Sequence, residues 1–95
     1  MTIGKADVIR SIAGRDAGEL FVVLKTDGEF ALLADGRRRR LENPKRKKLR
    51  HLRYDGAIKC HAAEKLLNGE GVTNRELRRA LAEYRAAPVG EEGGM

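Results

Sequence analysis

Apolar positions fall into two short runs, LFVVL at 20–24 and FALLA at 30–34, and further along they take up a helical spacing. Both runs are too short for ordinary helices and are rich in β-branched or aromatic residues, so each predicts a strand. Asp27-Gly28 lies between them and Asp35-Gly36 directly follows the second. Each pair suits a two-residue type I′ turn, whose central residues both need positive φ. With a weakly alternating segment at 7–12 that leads into the loop AGRDAG, the pattern predicts a β-meander of the kind found in small barrels.

A fourth strand is expected to begin among the arginines at 37–41. Alternate residues of a strand face opposite sides, and the interior of a small barrel cannot hold a guanidinium group. Leu41 therefore points inward, Arg39 snorkels out at the barrel mouth, and Arg38 and Arg40 face water. Asn43-Pro44 stops that strand. Residues 45–48 read as an exposed basic loop, and a last short strand is placed near Leu49.

Helical signals follow. AIKCHAAEKLL at 57–67 is rich in helix formers, with Asp55 at its start as a cap and Asn68-Gly69 at its end for the left-handed conformation. Thr73 and Glu76 form a capping box, and Val72 and Leu77 form a hydrophobic staple. Leu77, Ala80, Leu81 and Tyr84 then recur at i, i+3, i+4 and i+7, which predicts a second helix over 74–86 closed by Pro88. The fold class expected is mainly β with α: a small barrel of about five strands over 1–54, a C-terminal helical hairpin over 55–87 and a flexible tail over 88–95. Two short helices need a packing partner, so they dock on each other, on the barrel, or on something else.

Charge changes the picture more than composition does. The seventeen residues at 37–53, RRRRLENPKRKKLRHLR, hold ten of the twenty Lys and Arg and one of the fourteen acids, so this window is +9 and the rest of the chain is −3. A block this dense attracts polyanions, nucleic acid above all. The alternative is a solvated basic face. Solvation normally intersperses both signs, and crowded like charges destabilise the isolated fold, so binding is favoured. The candidate contacts are Arg37, Arg38, Arg39, Arg40, Lys45, Arg46, Lys47, Lys48, Arg50, His51 and Arg53. The mixture of forked guanidinium groups and point-charge ammonium groups suits phosphate positioning more than base reading.

Other classes are excluded or weakened. At 95 residues there is room for one compact domain and not for a cleft between two. With no Trp, two Tyr and two Phe, base-stacking platforms are not expected. One Cys with His51 and His61 makes neither a disulfide nor a zinc site. Cys60 beside His61 reads as a small buried hydrophobe, and no paired carboxylates or nucleophile-base set is legible, so no catalysis, cofactor, metal or small-molecule substrate is expected. MTIGKADVIRS lacks the apolar stretch of a signal peptide, and no stretch approaches the roughly 20 apolar residues of a membrane span. A soluble cytoplasmic protein is expected.

The stretch DVIRSIAGRDAGELFVVL, followed by FALLADGRRRRLENPKRKKLRHL, resembles the KOW motif of small SH3-like barrels. It is most similar to KOW proteins of the large-subunit ribosomal type and their short bacterial relatives, and the C-terminal EGVTNRELRRALAEY also resembles their tails. KOW motifs also occur in transcription elongation factors of the NusG type, where the barrel contacts protein as well as RNA. The resemblance implies binding to structured RNA, ribosomal RNA included, through strand loops and a basic edge. It makes Gly18 the motif's glycine, which with Gly14 brackets the loop and lets the backbone approach phosphates, and it makes Arg15 an outward contact from the same loop. The four-arginine run is heavier than the motif needs and favours looser polyanion binding. The alternative is an adaptor whose barrel and helices dock on a ribosomal protein or a polymerase.

Overall fold

The run at 20–24 is apolar throughout because its strand is buried on both faces. The computed structural model describes residues 2–86 and contains β1 (Asp7–Ser11), β2 (Leu20–Asp27), β3 (Phe30–Ala34), β4 (Lys45–Lys48), β5 (Leu52–Ala57), α1 (His61–Leu67) and α2 (Asn74–Ala86), with a 3-10 turn at Leu49–His51 between β4 and β5. The strands form one antiparallel sheet in the order β4-β3-β2-β1-β5. On one face Val8, Leu20, Val22 and Ala34 pack against Ile58, Ala62, Ala63, Leu77, Ala80 and Leu81, so both helices cover the sheet. On the other face Ile9, Phe21, Val23, Ala31, Leu33 and Leu52 form a second cluster, to which, among the described residues, neither α1 nor α2 contributes. A strand buried on both sides reads as a continuous apolar run, without alternation.

The architecture is thus a small mixed α/β fold, with the helices joined to the sheet in one core. A boundary at 54/55 falls inside β5. Among the described residues no ladder joins β4 to β5, so the sheet is open, with those two strands as its edges. The expected tail over 88–95, and Pro88 as a helix stop, lie outside the described residues.

Several elements depart from expectation, each for a physical reason. Asp27 pairs with Phe30, so the β2–β3 turn is Gly28-Glu29, with Gly28 at φ 62 in the first central position, as a type II′ rather than a type I′ turn requires. The arginines at 37–40 form no strand. Asp35 Oδ1 accepts the N–H groups of Arg37 (2.8 Å) and Arg39 (2.9 Å), and Arg39 O accepts those of Asp35 and Gly36. The backbone is therefore satisfied locally, with Gly36 at φ 79, and no guanidinium is forced inside. The fourth strand is instead KRKK at the sheet edge, where charged residues guard against pairing with other chains. Lys45 and Lys47 pair with Leu33 and Ala31 and share their face, while Arg46 and Lys48 take the opposite one. Leu49 opens the 3-10 turn, and β5 continues to Ala57 alongside β1, with a register shift that leaves Asp55 as the extra residue between the Tyr54–Ile9 and Gly56–Val8 pairs, so Asp55 belongs to a strand and caps no helix.

α1 begins only after Cys60, and Gly69 beyond its end takes φ 77 as expected. α2 starts at Asn74, and its capping box is complete: the Thr73 N–H donates to Glu76 Oε1 (2.9 Å) and the Glu76 N–H to Thr73 Oγ1 (3.1 Å). Lys65 of α1 adds a 2.8 Å ion pair to Glu76, and these hydrogen bonds hold the Glu76 carboxyl down at about 2. Thr73→Ala removes the cap acceptor and is expected to lower stability by about 1 kcal/mol, read as a shift in the urea unfolding midpoint with an unchanged slope.

Candidate nucleic-acid interface

Two loops that are distant in sequence meet at one end of the sheet. The first, 12–19, joins β1 to β2 and closes on itself through Gly18 N–H to Ser11 O (2.7 Å) and Ser11 N–H to Glu19 O (3.0 Å). Gly14 and Gly18 have φ 84 and 93, which L side chains rarely adopt, and open space surrounds Gly18 where a Cβ would stand. The second, 35–44, joins β3 to β4 and carries Arg37, Arg38, Arg39 and Arg40. Between the loops lies a cleft of about 370 Å³, lined by the cations Arg15, Arg38, Arg39 and Lys45 and by the carboxylates Asp16, Glu19 and Asp35.

Two of those carboxylates are already engaged. Asp35 accepts the two backbone N–H groups of its own loop. Asp16 receives Lys47 Nζ and Ser11 Oγ (2.8 Å) at Oδ1, and Lys45 Nζ stands 3.2 Å from Oδ2. That approach is an ion pair outside hydrogen-bond geometry, so Oδ2 is buried without a directed donor. Burial alone would push the Asp16 carboxyl up, but the hydrogen bonds from Lys47 and Ser11, with the Lys45 ammonium beside them, outweigh it and bring the carboxyl from 3.8 to about 2.

The candidate contacts therefore separate. Lys47 is withdrawn from the set: it is 9% exposed, and its ammonium donates to Asp16 and to Ala13 O. The pattern KRKK conceals this, because only the alternation of strand faces distinguishes Lys47 from its neighbours. Lys45 lines the cleft with its charge partly offset by Asp16, and exposed Arg40 pairs with Glu42 at 3.3 Å. Arg46 lies over the Phe30 ring, 3.5 Å from its centroid, a contact that fixes the guanidinium at the surface. Lys48 is half-buried on the same side. Arg50 is exposed and His51 half-buried in the 3-10 turn, which is tied to the first loop by Ile12 N–H to His51 O (2.9 Å). Arg53 is exposed on β5 opposite Arg10, whose Nη1 donates to Gly18 O (2.8 Å).

The sequence does not disclose the contacts of three side chains at these loops: Asp16, which fastens β4 to the first loop, and Asn74 and Arg78, which reach loop 35–44, although Arg78 reads from the sequence as an exposed, solvated arginine. Their partners Lys47, Leu41 and Gly36 lie more than thirty residues away in the chain, beyond any local pattern. A larger cleft, about 720 Å³, lies between β5 and α2. Three of its polar groups are tied to one another: Tyr84 donates to Asp55, which also pairs with Arg10 at 3.5 Å, and burial followed by the Asp55 contact raises the Tyr84 hydroxyl pKa. The smaller cleft is the better candidate, because it gathers three guanidinium groups from two separate loops, Arg15, Arg38 and Arg39, and none of them is paired with a carboxylate among the described residues. Among the described residues no group of three His, Cys, Asp or Glu is placed to hold a metal, and no helix is long and apolar enough to cross a membrane. No family model matches the chain, and no curated protein does.

Proposed function

We propose that this protein is a non-enzymatic RNA-binding module, and that its five-stranded antiparallel sheet is a variant of the small SH3-like barrel of the KOW type. Structured RNA, ribosomal RNA included, docks its ribose-phosphate chain across the two loops, and the β4 side chains Arg46 and Lys48 extend the contact. The observation that carries this reading is the convergence of Arg15 with Arg38, Arg39 and Lys45 on one cleft, since the glycine loop and the arginine block are separate in sequence. Guanidinium groups on both sides of a cleft suit the phosphates of a backbone running between them. Sequence preference then comes from RNA shape and 2′-hydroxyl contacts. The adaptor reading has less support, because Leu77, Ala80 and Leu81 are buried against the sheet, so the apolar face of α2 is already covered.

A salt titration of binding to a fluorescein-labelled RNA hairpin tests the proposal. With about six phosphates neutralised, log affinity falls against log salt with a slope on the order of −4 to −5. A flat response would overturn the electrostatic reading and favour docking on protein.

A further inference from the structure

Loop 35–44 does not stand free. Gly36 lies so close to the first turn of α2 that a Cβ on it would be 2.4 Å from Asn74 O and 3.1 Å from Arg78 N. Arg78 Nη1 donates to Gly36 O at 2.8 Å. At the other end of the arginine run, the Leu41 N–H donates to Asn74 Oδ1 (2.8 Å), and the other half of the same amide donates through Nδ2 to Glu42 Oε1 (2.6 Å). The helix thus grips the loop immediately before Arg37 and immediately after Arg40, and the four arginines bow out between the two grips.

We propose that the first turn of α2, through Asn74 and Arg78, is the positioning element of the RNA site, holding loop 35–44 so that Arg38 and Arg39 face Arg15 across the cleft. This inference rests on the RNA-binding reading above. Four adjacent guanidinium groups repel one another, and an untethered loop carrying them would splay and would have to be ordered on binding. The tether does that ordering in the free protein. Arg78 contributes through a backbone carbonyl of the loop, with its guanidinium turned to protein. Asn74 is suited to the role because one amide both accepts and donates, and so fixes the Leu41 backbone and the Glu42 side chain together. Glu42 reports on the contact, since the hydrogen bond from Asn74 is the foremost cause that holds its carboxyl below the ordinary range.

The test compares the full chain with Asn74→Ala and Gly36→Ala, using the fluorescein-labelled RNA hairpin at several salt concentrations. Alanine is the better helix former, and the Thr73–Glu76 capping box is untouched, so α2 keeps its helicity by circular dichroism. Asn74→Ala is expected to weaken binding about fivefold. It also makes the salt slope shallower by about one although no cation is removed, because a loose loop engages fewer phosphates at once. In NMR titrations the Glu42 carboxyl moves back toward its ordinary range. Gly36→Ala, which pushes the loop off Asn74 O, gives the same two binding changes and is the variant read if Asn74→Ala fails to fold. Wild-type affinity and slope in both variants, or weakening that merely tracks lost thermal stability at an unchanged slope, overturns the positioning role. Loss of binding in an Arg38→Ser, Arg39→Ser double variant then shows that the RNA reading survives. Wild-type binding in that double variant overturns both.

Discussion

An Asp16→Ala variant will unfold far more easily than the wild type, by roughly 3 kcal/mol, because it strands the Lys47 ammonium inside the protein. Lys47 is 9% exposed and gives its protons to Asp16 and Ala13 O, so the carbonyl alone would remain to meet a full charge. For a domain of this size that loss corresponds to a drop in thermal midpoint of about 12–24 °C. Adding Lys47→Met recovers most of it, since an apolar side chain of similar length carries no desolvation penalty beside Ala31 and Leu33. A single Asp16→Ala variant as stable as the wild type would mean that the ammonium finds water. Acid acts on the same pair. The Asp16 carboxyl titrates at about 2 in the fold and near its ordinary 3.8 when unfolded, so its contribution is complete above about pH 4. It shrinks as the pH falls and is gone once the folded carboxyl is protonated near pH 2. The size, on the order of 2 kcal/mol, is measurable as a falling unfolding midpoint over that range, and the Asp16→Ala, Lys47→Met double variant lacks this portion of the acid dependence.

That pair also shows where the sequence could be read and where it could not. The strand at 20–24 and the helix over 74–86 were legible because their signals are local: a β-branched run, a capping box, an apolar face with helical period. β4 was not, because KRKK has no change of residue type to report which side chains face inward; the alternation lies in the environment of Lys47 against Arg46. β5 was hidden for the opposite reason. LRYDGA contains a potential helix cap and a turn-forming Asp-Gly, and pairing with β1 overrides both. Gly56 serves Tyr84, whose hydroxyl lies 2.3 Å from where a Cβ would stand. The basic block was correctly located as a charge feature but not as a site. Its members divide by partners contributed from elsewhere: Asp16 takes Lys47, Phe30 takes Arg46, and Asn74 and Arg78 shape the loop that carries Arg38 and Arg39.

Replacing Arg15, Arg38 and Arg39 together with serine will weaken binding to structured RNA by about a hundredfold near physiological salt. Each neutralised phosphate contributes close to 0.7 of a decade at about 0.15 M salt, so three lost contacts amount to roughly two decades, and the salt slope becomes shallower by about two to three. The fold is not weakened by the change, because all three side chains line the cleft and removing like charges relieves repulsion. Lys47→Met supplies the contrast. It removes the same unit of charge from the middle of the basic block, yet its ammonium is committed to Asp16, so the salt slope stays at the wild-type value while the unfolding midpoint moves. If net charge alone governed binding, each substitution would reduce the slope in proportion to the cations removed, Lys47 included. A cleft that grips phosphates predicts a steep response at Arg15, Arg38 and Arg39 and none at Lys47. Equal slopes for the triple variant and the wild type would remove these two loops from the interface.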